Sequence, residues 1–251
     1  IRDNVLDKSG FLYDEPNFLL QKEVSEVGTY FSVIKAIAAG KHRPSEIASA
    51  LEVKQTSLSR HLATLIDLDI VEREVPVTEK NPEKSKLGLY RVNDNFLRFW
   101  FRFVQPNVSY IESGHPQLAE KGIRAHFVEN HASYVYEDVC REALWDMAVE
   151  GTLPFLPEKV GRWWNRNAEI DVVATNEQDQ AVLFGECKFW KKPVGASVLR
   201  DLEGKSRSVD WLQNERREVF VLFSISGFTD ELREIADARD DVLLACGVAG
   251  A

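Results

Sequence analysis

The chain has 251 residues, 44% hydrophobic and 28% charged, and a formal charge of −9 at pH 7. That balance excludes a disordered polymer, and no apolar run approaches the length of a bilayer span, which excludes a membrane partner. The acidic excess lies after residue 115, where 16 Lys/Arg stand against 24 Asp/Glu; a protein of this sign does not coat nucleic acid non-specifically, but it suits a site that collects metal cations.

The sequence starts at Ile1 in mid-flow, as expected of a fragment of a longer protein. No signal peptide opens it. Cys140, Cys187 and Cys246 are too scattered for a CxxC pair or a disulfide framework. Both features point to a reducing cytoplasm.

In chain order, Val24, Val27, Phe31, Ile34 and Ile37 recur at helical spacing and predict a helix over 16–39, stopped by Gly40. A second helix is predicted over 43–53, with Ser45 as its N-cap. A third follows over 55–71, with Leu58, Leu62, Leu65 and Ile66 on one face. The strand-like pieces IVEREVPV and LGLYRV flank the polar loop TEKNPEKSK, a wing between antiparallel strands. The aromatic stretch 93–107 predicts a helix capped by Asn93 or Asp94, its rings belonging to a core. Residues 116–150 are helical again, until LPFLP breaks the pattern.

Beyond 158 the period changes. VGRWWN, AEIDVVAT, QAVLFGECKFW, EVFVLFS and VLLACGV (242–248) are short strands, with helices near 196–208 and 229–239. The expected architecture is α+β and α/β: a winged helix-turn-helix over 1–112, then an α/β domain over 113–251, with the seam in 107–117.

On the third helix, Thr56, Arg60 and Thr64 fall opposite the apolar face. There they would meet a DNA groove, with Arg60 the best donor to a base or phosphate. Lys84 and Lys86, like Lys80, sit on the wing at positions suited to phosphate. Winged helices also serve as docking modules, and Asp67 and Asp69 near the helix end keep that alternative open.

The stretch VLFGECKFW reads as a buried strand until Glu186 and Lys188. Alternation puts Val182, Phe184, Glu186 and Lys188 on one face, and Glu169, Asp171 and Val173 on one face of the preceding strand. A hairpin around NEQDQ brings Asp171 level with 184–186, within reach of Glu186. Two buried carboxylates side by side repel, and a divalent cation removes the penalty. Mg²⁺ or Mn²⁺ held by Asp171, Glu186 and the backbone carbonyl of Cys187, with Lys188 beside a metal-bound water or a phosphate, makes a phosphodiester hydrolysis site. Lys191, Lys192, Arg200, Lys205 and Arg207 are placed to line a phosphate track beside the site.

Asp171, a 14-residue gap and then Glu186-Cys187-Lys188 resemble the signature of the PD-(D/E)xK (restriction-endonuclease-like) nucleases, in a form similar to archaeal junction resolvases. The resemblance implies an αβββαβ core and adds Glu137, in YVYEDVCREAL, as an acid from the first helix. Ile170 stands where the signature has Pro. Over nearly the whole chain, YRVNDNFLRFWFRFVQPN, YEDVCREAL, VGRWWNRNAEIDVVA and FGECKFW resemble the C-terminal region of the archaeal P-loop (AAA-type) ATPase family. This implies an N-terminal ATPase domain, missing from this chain, as a partner. The chain's own Gly204-Lys205-Ser206 is no phosphate loop, because Leu199 stands where the first glycine belongs. The expectation is a Mg²⁺-dependent DNA endonuclease module, self-association being possible. The alternative is a non-catalytic DNA-binding or protein-docking module with a decayed nuclease fold.

Overall fold

The computed structural model of the protein describes residues 1–247 and divides into two compact units. The first comprises Ile1–Glu74 and Gly88–His131; the second comprises Val75–Leu87 and the chain from Ala132 onward.

The first unit opens with α1 (Arg2–Val5), α2 (Glu15–Glu23) and α3 (Val27–Ala38). The single helix predicted over 16–39 is therefore two. Val24 is extended, with φ −136° and ψ 148°, and a β-branched residue followed by Ser is a weak place to continue a helix. Gly40 ends α3 with φ +94°. Its N–H donates to the Ile37 carbonyl, and Lys41 N–H reaches back to Ala36, a left-handed terminator that glycine adopts without strain.

Next comes α4 (Pro44–Ala50). Ser45 is not its cap. Pro44 takes the first helical position, where its missing N–H is not needed, and the Glu46 carboxylate accepts the N–H groups of His42 and Arg43. In α5 (Gln55–Asp67), Leu58, Leu62 and Leu65 are buried, whereas Ile66 is 37% exposed and lies off the buried stripe. The strands β1 (Val71–Glu74) and β2 (Leu89–Val92) pair antiparallel, Val71 with Val92. β1 stops short of its predicted length before Pro76, which cannot donate to a ladder.

Asp94 caps α6 (Asn95–Phe99) by accepting Leu97 N–H at 2.7 Å. A π-helical turn, Trp100–Val104, and a short 3₁₀ turn lead to α7 (Val108–Glu112) and α8 (Pro116–Phe127). The aromatic stretch is core: Trp100, Phe101, Phe103 and Val104 are all buried. Ala119 and Ile123 of α8 join the same core, so the first unit runs past the expected seam at 107–117 to His131.

His131 is 8% exposed and packs on Phe99 and Phe127, ring centroids 5.8 and 5.3 Å away. Burial, with Arg98 nearby, pushes its pKa down to about 4. A depressed histidine supports the fold above about pH 6.5 and withdraws that support as pH falls towards 4. The expected loss is up to about 3 kcal/mol. Urea unfolding of the wild type and of His131→Phe at pH 7 and 4.5 measures it: between the two pH values the wild type should lose more stability than the variant.

In the second unit, α9 (Ser133–Val149) follows a second π-helical turn, Val128–Ala132. Then come β3 (Lys159–Trp164), β4 (Glu169–Asn176), β5 (Ala181–Lys188), α10 (Ala196–Ser206), β6 (Arg217–Ser224), α11 (Asp230–Asp237) and β7 (Val242–Cys246). Val248, the end of the last predicted strand, lies outside the described residues. The strands form one sheet in the order β3-β4-β5-β6-β7, the first two pairings antiparallel and the last two parallel. One face packs Val173, Val182, Phe184 and Leu222 against Leu199 and Leu202 of α10 and Leu232 of α11. The other packs Val172, Leu183, Cys187 and Phe223 against Tyr136, Cys140 and Leu144 of α9. Burial on both faces explains the continuous apolar run of β5. Gly185 is pinched there: a Cβ would meet side-chain carbons of Val172 and Val221, each at 2.9 Å.

The β3–β4 ladder is irregular. Gly161 pairs with Val173 but Trp163 pairs with Ile170, so Arg162 alone faces both Asp171 and Val172. This is a bulge, with one extra residue in β4. It breaks the strict alternation expected for AEIDVVAT: Ile170 packs in the same cluster as Val173.

The wing loop belongs to the second unit because Val77 N–H donates to the Arg162 carbonyl and the Trp164 indole donates to the Leu87 carbonyl. Among the described residues, no helix is long and apolar enough to cross a membrane.

Candidate active site

β4 and β5 hold the acids. Val172 pairs with Gly185 and Val173 with Phe184, a register that sets Asp171 opposite Glu186. Asp171 Oδ2 accepts the Cys187 N–H at 2.9 Å, which ties the bulge to β5. Arg141 of α9 donates to the Asp171 carbonyl at 2.8 Å and pairs with Asp138.

Glu186 is 7% exposed. Its Oε1 accepts from Lys188 Nζ at 2.6 Å and its Oε2 from Lys205 Nζ at 2.8 Å. Glu137 comes from α9, on the opposite face of the sheet. Arg162 Nε lies 3.8 Å from Glu137 Oε2, and the same guanidinium pairs with Glu169.

The electrostatics are those of crowded, desolvated acids. Burial, then the charge of Asp171, pushes Glu137 up to about 8, against the opposing pull of Arg162 and Arg141. Burial, then Glu186, pushes Asp171 up to about 6, although the Cys187 N–H, Lys188 and Lys205 oppose the rise. Burial pulls Lys188 down, but Glu186 and Asp171 outweigh it, so its pKa rises and it stays an ammonium. Burial raises the Cys187 thiol well above its ordinary value. With Cys187 9% exposed on the α9 side, it is core and not a nucleophile.

Asp171, Glu186 and Lys188 are thus brought together, and Glu137 is near enough to feel Asp171. Among the described residues, no three His, Cys, Asp or Glu side chains converge as a metal-binding group. The two oxygens of Glu186 each hold a lysine.

Lys205, one of the expected phosphate-track lysines, is also the second partner of Glu186; it lies on the helical stripe of Val198 and Leu202, which faces the sheet. Arg162 and Arg141 carried no comparable signal. Elsewhere, Thr56 and Arg60 are exposed on α5, and Thr64 is half-buried with its hydroxyl on the Arg60 carbonyl. Lys84 and Lys86 are exposed on the wing loop, and Lys191 and Lys192 are exposed just past β5.

Comparison with known proteins agrees with the first unit and leaves the second open. Residues 32–73 match the helix-turn-helix of the bacterial regulatory protein arsR family. Residues 100–202 match a family described as archaea bacterial proteins of unknown function. An uncharacterized protein of Methanocaldococcus jannaschii is 40% identical over 202 residues, which is 79% of this chain and 45% of that protein. The chain therefore spans less than half the length of this relative. A solved O-methyltransferase from neocarzinostatin biosynthesis, in complex with S-adenosyl-L-homocysteine, is 15% identical and covers 94% of this chain and 68% of its own. Its TM-score of 0.22 is too low to carry an argument. The chain thus has an ArsR-type winged helix-turn-helix, a DNA-binding type of module, followed by a mixed α/β unit.

Proposed function

We propose that the second unit is a divalent-metal-dependent phosphodiesterase of the PD-(D/E)xK endonuclease kind, to which the helix-turn-helix delivers DNA. One observation carries this reading: Asp171 and Glu186 stand opposite each other on adjacent strands, with Lys188 two residues on. The α-β-β-β-α-β order from α9 to β6 supports it. An ATPase domain in the same polypeptide goes with this proposal; in its support, the Methanocaldococcus relative is more than twice as long as the stretch it shares with this chain.

Asp171 and Glu137 fit a hard cation, because burial and mutual repulsion lift both carboxyls and a divalent charge would remove that penalty. The Cys187 carbonyl of β5 is the third ligand in this proposal, next to the N–H that Asp171 accepts. Glu186 fits only if Lys205 or Lys188 gives up an oxygen. A bound Mg²⁺ or Mn²⁺ would acidify water and polarise a phosphate. The chain's own contribution is a pair of ammoniums, Lys188 and Lys205, held by one carboxylate where a phosphate's charge needs neutralising.

The same ion pairs favour a second reading, in which Glu186, Lys188 and Lys205 are a closed structural cluster and the chain binds DNA without cutting it. Titrating Mg²⁺ and Mn²⁺ against supercoiled DNA, scored for nicking and for retention, separates the two. Nicking that depends on the divalent ion is expected. Retention without nicking under either ion, weakened by salt and by Arg60→Ala, establishes the second reading.

A further inference from the structure

Just past β5, Trp190 is 41% exposed, and its ring stands beside two ammoniums: Lys188 Nζ at 5.3 Å and Lys192 Nζ at 5.8 Å from the centroid. Lys188 is also the 2.6 Å partner of Glu186, so the ring and the acid cluster share one charge. The segment is held on both sides of the ring. Ser226 Oγ donates to the Trp190 carbonyl at 2.5 Å. Phe189 packs edge-on against Tyr136, centroids 5.5 Å apart. Beyond Pro193, Val194 N–H donates to the Gly227 carbonyl, and Thr229 N–H returns to the Val194 carbonyl. Burying an indole is worth a good deal of free energy; here a tethered backbone keeps one in solvent among lysines.

We propose that Trp190 is a stacking platform for an unpaired base of a DNA strand, with Lys192 and Lys191 taking the flanking phosphates. The chemistry is complementary. A base offers a π-face to the indole, and its phosphates offer the lysines a stronger partner than the ring. In a duplex the base faces are already covered by their neighbours, so the platform selects a single-stranded or opened segment. Trp190 in this role sets the substrate class of the site proposed above, and to that extent rests on that reading: the strand presented to Lys188 and the acids is unpaired at the ring.

The test is binding without cleavage. Anisotropy of a labelled oligothymidine of about 12 nucleotides, a length that covers one platform with its flanks, is measured in EDTA with the full chain, beside a duplex of equal length. Trp190→Ala should weaken oligothymidine binding at least about fivefold, the loss of one base stack, and leave duplex binding within about twofold. Trp190→Phe keeps an aromatic face and should retain most of the affinity, which separates a stacking role from a folding defect. Unchanged oligothymidine affinity in Trp190→Ala, equal losses on both ligands, or wild-type protein that binds no oligothymidine each overturn the platform. Since no divalent ion is present, the result is independent of whether the acid cluster cuts. A protein that stacks but never nicks keeps the platform and loses the nuclease; one that nicks with Trp190→Ala binding unchanged does the reverse.

Discussion

Asp171→Asn is expected to unfold at higher urea than the wild type at pH 8 and, on the nuclease reading proposed above, to lose DNA nicking. The two effects have one cause. Burial and Glu186 lift the Asp171 carboxyl to about 6. A carboxyl whose pKa is raised in the fold favours folding at low pH, where it is neutral, and loses that advantage as pH climbs through its folded value. At pH 8 the charge is therefore a liability, and removing it stabilises the fold by about 2 kcal/mol. At pH 4 the two proteins converge. Asparagine keeps an oxygen for the Cys187 N–H, so the tie to β5 survives. What it lacks is the negative charge a cation needs, and nicking should fall on the order of 1000-fold. Urea midpoints at pH 4 and 8 and a plasmid-nicking assay check both halves. Cleavage by Asp171→Asn at the wild-type rate removes this residue from the site.

Glu186→Ala should be among the most damaging single changes in the second unit. It leaves Lys188 and Lys205, side chains 19% and 31% exposed, facing each other without the carboxylate that holds both. Breaking a fully buried pair costs about 3–5 kcal/mol, and the partial exposure of both lysines brings the expected loss to about 2–3 kcal/mol. Adding Lys205→Met removes one stranded charge and should recover much of the loss, a non-additivity that a double-mutant cycle reads directly. If Glu186→Ala unfolds at the wild-type urea midpoint, the two short lysine contacts hold nothing together.

The helix-turn-helix and the hairpin that juxtaposes Asp171 and Glu186 were legible because both rest on periodicity. Leu58, Leu62 and Leu65 mark one face of α5, and alternation along β5 puts Glu186 beneath Phe184. What escaped depends on partners distant in sequence. Nothing in IDVV announces that Arg162 will face two residues of β4. The run of basic residues past β5 marks Lys205 as a phosphate-track lysine, and the packing of α10 adds that it answers Glu186. The wing loop looks like free polar chain until Val77 and Leu87 find Arg162 and Trp164. The break at Val24 and the π-helical turns are settled by packing, which overrides weak local preference.

The bulge in β4 has a consequence for how this sheet tolerates change. Excising a single residue from the Asp171–Val172 pair would restore an even ladder against β3, and an even ladder is the cheaper one to fold. Ile170 would then stand two residues from Val173, still opposite Trp163, and keep its place in the apolar cluster. The loss falls on the acid instead: either Asp171 itself goes, or, with Val172 removed, Asp171 takes the place that Val172 fills on the face packed against α9. The extra residue in β4 thus lets an acid stand in the strand without unseating the apolar residues on either side of it.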